Sequence, residues 1–345
     1  MTRELDFKYV IVRNGADFGE LFPLSAPTIR CDDSAEIKTS LSGTFLNNDQ
    51  INWLSDEIRA EMIIDGVTYP LGVYLPATVT HSNDGVTDQV DLEAYDRCWV
   101  LKDNYTESQE YFASGVKYLT AVNQLLTRCG ISLVSQVDSS ATFTESREDW
   151  SIGTSYLEII NQLLSEINYK PVWFDSKGLA QLEPISEPQA ENIKHTFDNT
   201  NVKSLMLPQI TREMDIYQAP NVFICICANP DKSGNMVATS ENTNPQSPLS
   251  ISRRGRRIVS VNQVDNIASQ NDLQKYADTL RNQSMLTGET IGITTALLPG
   301  FGVGDVVGLV YDDLTTICVE RAWEMRLEVG GDMIHTLERV VVNLG

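Results

Sequence analysis

Three histidines, His81, His195 and His335, are the side chains of this sequence best suited to proton transfer near neutral pH or to metal ligation. None sits in a His-Glu-x-x-His arrangement or in a tight ligand cluster, so each reads as a structural or surface histidine. The six cysteines are scattered, apart from Cys225 and Cys227 in Val222-Phe-Ile-Cys-Ile-Cys-Ala228. Two residues apart on a strand, they share one face. That spacing is too short for a paired-cysteine metal hook, and they read as small buried hydrophobes. Acidic pairs such as Asp32-Asp33 and Asp312-Asp313 are expected by chance among 47 carboxylates. Nothing in the sequence supplies the separation or raised acidity of a general acid, and Asp312-Asp313 reads as a hairpin turn.

The glycine-rich stretch Leu298-Pro-Gly-Phe-Gly-Val-Gly-Asp305 lacks a phosphate-binding lysine and precedes a strand instead of linking strand to helix. It therefore predicts no cofactor. Pro299, Gly300, Gly304 and Asp305 read as a tight turn presenting strand 306–310. The one basic cluster is Ser252-Arg-Arg-Gly-Arg-Arg-Ile258. Arg253, Arg254, Arg256 and Arg257 could touch phosphate, begin a solvated strand, or form a docking patch for an acidic neighbour. The docking reading is favoured, because an acidic chain needs counter-charge to sit beside another copy.

These groups must be positioned by a chain of 345 residues, long enough for two or three domains. Residues 1–100 read as an antiparallel meander. Asp65-Gly66 is a hairpin signal between Ile58–Ile64 and Val67–Tyr69, and Asn83-Asp-Gly85 is a second turn. Closing this meander into a barrel would remove its edge strands. Residues 101–190 read as a small α+β domain. Val116, Leu119, Val122, Leu125, Leu126 and Cys129 form one helical face, stopped at Gly130, with a strand expected at 131–134. Ser155 and Glu158 make a capping box for a second helix with Ile159, Ile160, Leu163, Leu164 and Ile167 inward. The two helices resemble each other: Tyr118-Leu-Thr-Ala-Val-Asn-Gln-Leu-Leu126 parallels Tyr156-Leu-Glu-Ile-Ile-Asn-Gln-Leu-Leu164. Residues 191–345 return to strands, with one helix near 269–284 and an exposed or partner-ordered loop over 229–250.

A net charge of −21 argues against a protein that wraps nucleic acid. The amino terminus has no apolar signal core and the apolar runs are far too short to span a membrane, which predicts a soluble protein folded in a cytoplasm.

Taken in order, four stretches resemble baseplate hub proteins of phage or prophage tails. They are Leu92-Glu-Ala-Tyr-Asp-Arg-Cys-Trp-Val-Leu101, the paired helices with Trp150 and Lys170-Pro-Val-Trp-Phe174, Pro248-Leu-Ser-Ile-Ser-Arg-Arg-Gly-Arg-Arg-Ile-Val259, and Ala296–Val307. The resemblance implies two β-barrel-like tube domains (1–100 and 191–345) flanking the α+β domain, and a structural, non-enzymatic role. It further implies a homotrimer presenting a pseudo-hexameric ring that joins a tail tube to a central spike or tip. Other baseplate proteins would be partners, and DNA would pass through the channel without sequence-specific binding. The place of action would be a virion tail or tail-like particle assembled in bacterial cytoplasm, with no membrane insertion. Two rivals make different demands. A glycan- or receptor-binding module needs Trp53, Trp99 and Trp173 exposed and clustered, and a cell-wall hydrolase needs a catalytic carboxylate pair.

Overall fold

The computed structural model describes residues 3–201, 204–213, 219–227, 236–264, 267, 269–286, 289–312 and 314–340. The chain opens with β1 (Leu5–Arg13), β2 (Ala16–Leu21), β3 (Thr28–Asp32), β4 (Thr39–Leu46), β5 (Glu57–Ile64), β6 (Val67–Asn83) and β7 (Asp88–Tyr95). Then come α1 (Cys98–Asp103), α2 (Tyr118–Arg128), β8 (Val134–Gln136), α3 (Tyr156–Glu166), β9 (Trp173–Phe174) and β10 (Ala180–Leu182). The remainder holds β11 (His195–Asp198), β12 (Met206–Glu213), β13 (Val222–Cys227), β14 (Met236–Glu241), α4 (Ile251–Arg254) and β15 (Val259–Gln263). It ends with α5 (Gln270–Leu286), β16 (Thr290–Ala296), β17 (Val306–Tyr311), β18 (Leu314–Arg326) and β19 (Asp332–Val340).

Local chemistry accounts for the sharp reversals. Asp65 (φ +50°) and Gly66 (φ +80°) take the two left-handed positions of the β5–β6 hairpin. Asn14 (φ +53°) and Gly15 (φ +77°) do the same between β1 and β2, a hairpin that the sequence reading passed over. The Ser155 hydroxyl accepts from Glu158 N at 3.2 Å, so α3 starts where its capping box places it. Gly130, at φ +77°, ends the α2 region as expected. The strand expected at 131–134 instead occupies β8. The exposed or partner-ordered loop expected over 229–250 is partly strand: β14 buries Ala238 and Ser240 in an alternation hidden by its Ser/Thr-rich composition. Residues 228–235 lie outside the described residues.

The expectation of two barrel-like units is overturned. Strands from both ends of the chain form one open thirteen-stranded sheet, β12-β16-β19-β18-β3-β4-β7-β6-β5-β1-β2, with β17 beside β18 and β11 beside β17. Among the described residues no sheet closes into a barrel. The reason lies in the length of β18. Leu314–Val319 pairs with β17, whereas Ala322–Arg326 pairs with β3. The edge that could have closed the later strands on themselves is taken by a strand from the first hundred residues. A β-rich, multidomain α+β fold remains.

Separate cores fill the molecule. Tyr9, Phe45, Ile58, Met62 and Tyr74 centre the core under β1–β7, and Phe197, Ile291, Leu309 and Leu337 centre another under β16–β19. The apolar faces of α2 and α3 meet over β8–β10. A small satellite sheet, β14-β13-β15, packs Cys225, Cys227 and Ala238 against Leu273 and Ala277 of α5, so both cysteines are buried, as their spacing predicts.

Candidate functional site

The basic cluster is built on one turn of helix. Ser250 accepts from Arg253 N at 3.3 Å at its start, and Gly255 (φ +64°) ends it in the left-handed conformation. The four arginines then diverge. Arg253 Nε donates to Pro245 O at 3.0 Å, and Arg254 Nη1 donates to Ala219 O. Arg257 donates two hydrogen bonds to the Glu241 carboxylate, at 2.6 and 3.0 Å. That bonding raises the pKa of the Arg257 guanidinium and lowers that of the Glu241 carboxyl. Arg256 is exposed, and its side chain joins no ion pair among the described residues. The cluster therefore sits at the entrance to β15 with outward charge available.

The glycine turn lies elsewhere and is a fastening. Gly300 and Gly304 have φ of +101° and +67°, which L side chains adopt at a cost. Asp305, 7% exposed, accepts from Gly302 N at 2.6 Å through one oxygen and meets Lys194 Nζ at 2.6 Å through the other. Phe301, at the crest, stacks on Phe197 with ring centroids 5.8 Å apart and meets His335 edge-on at 5.4 Å. The turn thereby plugs the sheet under β11 and β19.

Beneath it is a polar group that the sequence reading missed. Glu320, His335 and Thr295 are all fully buried. The Thr295 hydroxyl donates to Ala296 O at 2.8 Å, so it accepts from His335 Nε2 at 3.0 Å. His335 Nδ1 consequently faces Glu320 Oε1, with one proton between them. Burial pushes the Glu320 carboxyl above the ordinary carboxylate range, against the opposing pull of His335. The available signal was register: His335 takes an inward position between Met333 and Leu337.

A cleft of about 270 Å³ lies where β9, β18, the glycine turn and the segment 185–188 converge, with Lys38, Lys170 and Arg321 at its wall. Each cation is engaged: Lys170 with Glu183 at 2.8 Å, Arg321 with Asp33 at 2.7 Å, and Lys38 with Asp33 O at 2.5 Å. His81 meets Trp53 edge-on, and His195 packs against Phe197. Among the described residues no group of three or more His, Cys, Asp or Glu side chains is arranged to hold a metal ion. No helix among them is long and apolar enough to cross a membrane. The tryptophans do not form a stacking platform: Trp99 stacks on Tyr95, Trp53 faces His81, and Trp173 is in the core.

The whole-chain architecture is what known structures share. A tail protein from Neisseria meningitidis superposes with a TM-score of 0.68 at 14% identity, covering 96% of each chain. This chain has the fold of tail proteins. A prophage tail protein from Shewanella oneidensis gives 0.65 at 12% identity over 96% of this chain and 98% of its own. One from Listeria monocytogenes gives 0.60 at 12% identity, over 96% and 94%. No protein-family model matches the sequence, and no curated protein sequence matches it.

Proposed function

We propose that this chain is a structural baseplate hub of a phage or phage-like tail. Three copies form a ring in which each chain offers two β-rich halves, 1–100 and 191–345. The resulting pseudo-six-fold face receives a hexameric tail tube, and the opposite face meets a three-fold spike or tip. The observation that carries this reading is the end-to-end likeness to three tail proteins, each matched over 94% or more of its own length. The single sheet supports it physically. Pairing of β18 with β3 makes the two halves one stiff body, so neither can rotate alone under the load of a stacked tube. A net charge of −21 suits a passage through which DNA moves without sticking. The arginines 253, 254, 256 and 257 supply the counter-charge at the contact between copies.

Native mass measurement and electron microscopy of the purified chain, alone and with the tail tube protein of its particle, test the proposal. The expected result is a three-chain ring with an open passage that caps tube ends. Single chains that neither self-associate nor bind the tube would overturn it.

A further inference from the structure

The satellite sheet is folded with its hydrophobic alternation inverted on one strand. A three-stranded sheet covered by a helix on one side should point its apolar residues at that helix and its polar residues at solvent. On β13 the inward positions are apolar, with Phe223, Cys225 and Cys227 on the side of α5. On β15 they are not. Val259 and Val261 point outward, 50% and 58% exposed, while the inward positions are Ser260 and Asn262, which bond each other at 3.2 Å. The register completes an aliphatic outer face: Ile224 lies opposite Val261, and Ile226 opposite Val237, itself 50% exposed. The Arg257–Glu241 pair closes one end of this face, and exposed Arg256 precedes Arg257 in the chain. Exposed β-branched residues in contiguous register on a sheet face mark an interaction surface.

The same chain carries a matching surface with the opposite charge. Pro23 pairs with Phe45 in an antiparallel bridge flanked by the Leu24 N to Thr44 O and Leu46 N to Phe22 O bonds; Phe45 is buried, and Phe22, Leu24 and Leu46 are each between 42 and 61% exposed. In the next strand Thr44 lies opposite Asp91 and Ser42 opposite Glu93. These two carboxylates are exposed and enter no ion pair among the described residues; Asp91 accepts from Thr44 Oγ1 and Glu93 from Tyr95 OH. One face is aliphatic with an arginine rim, and the other is apolar with an acidic rim.

We infer that the outer face of β14-β13-β15 docks on the Phe22–Leu24–Leu46 face of a second copy of this chain. The contact is heterologous, because two different patches meet, and a heterologous contact that closes gives a ring. The inference rests on the ring proposed above and names the surfaces that build it.

Sedimentation of Val261→Glu and Leu24→Glu chains tests it, with thermal melts to check folding. Both positions are exposed, so melts should match wild type while each variant sediments as a monomer. An equimolar mixture of the two should recover dimers and no rings, since each variant keeps the patch that the other lacks. Arg256→Glu should weaken association at least tenfold, and Asp91→Lys in the same chain should restore it. A wild-type chain that never self-associates sinks the ring reading itself. A wild-type ring that survives Val261→Glu, or a mixture that stays monomeric, overturns only this assignment of surfaces.

Discussion

Glu320 and His335 face each other across the β18–β19 pair, both side chains without solvent exposure: Glu320 shares the inward face of Cys318, and the bulge that follows it sets Trp323 opposite His335. The folded state raises the Glu320 pKa, through burial first. The stability it contributes is therefore complete below its unfolded value, near 4.5, and is lost as pH rises through the higher folded value. In Glu320→Gln the amide donates to His335 Nδ1 and cannot ionise. Chemical denaturation from about pH 4 to pH 8 should show wild type losing stability relative to this variant as pH rises. Parallel curves for the two proteins would rule the explanation out.

Arg147 is the buried clasp of the helical region. It bonds Glu166 at 2.7 and 3.0 Å and also pairs with Asp149, while the Tyr118 hydroxyl donates to Glu166 at 2.9 Å. Burial alone would lower the pKa of its guanidinium, but these bonds more than offset it. Arg147→Ala strands a carboxylate that is 2% exposed, and should destabilise by about 3–5 kcal/mol. Arg147→Lys should recover little of this, because one ammonium cannot replace a planar fork. Replacing Arg147 and Glu166 together with methionine should recover most of it. Urea denaturation of the three proteins decides the matter.

Gly72 holds φ +143° in the middle of β6, and a Cβ there would run into the fully buried ring of Tyr74, whose hydroxyl donates to Leu71 O at 2.9 Å. Gly72→Ala combines overpacking with an unfavourable backbone conformation. A loss of roughly 2–5 kcal/mol is expected, read as a lowered melting temperature. A melting temperature equal to wild type would mean that Tyr74 can move aside.

Asp305→Ala removes the acceptor for Gly302 N and the partner of Lys194, and should destabilise by about 1–3 kcal/mol. Asp305→Asn keeps an acceptor for Gly302 and should lose less. If the turn only fastens the sheet, both variants should assemble normally once folded; assembly lost from a variant with a wild-type melt would show that the turn contacts a neighbour.

What the residues settle by themselves is local. Asp65-Gly66 forces a hairpin, Ser155 starts a helix with Glu158, and Cys225 and Cys227 share a buried face, because each depends on backbone preferences over a few residues. The arginine cluster and the glycine turn were visible as segments for the same reason. Tertiary structure decided the rest. Alternation tells which residues of a strand share a face, but not which strand lies beside it. Hence Arg321 meets Asp33 across 288 residues of chain, and one open sheet stands where two closed units were expected. It also does not tell which face a helix will cover. Only the placement of α5 against Cys225 and Cys227 reveals that Val259 and Val261 point away from their own core.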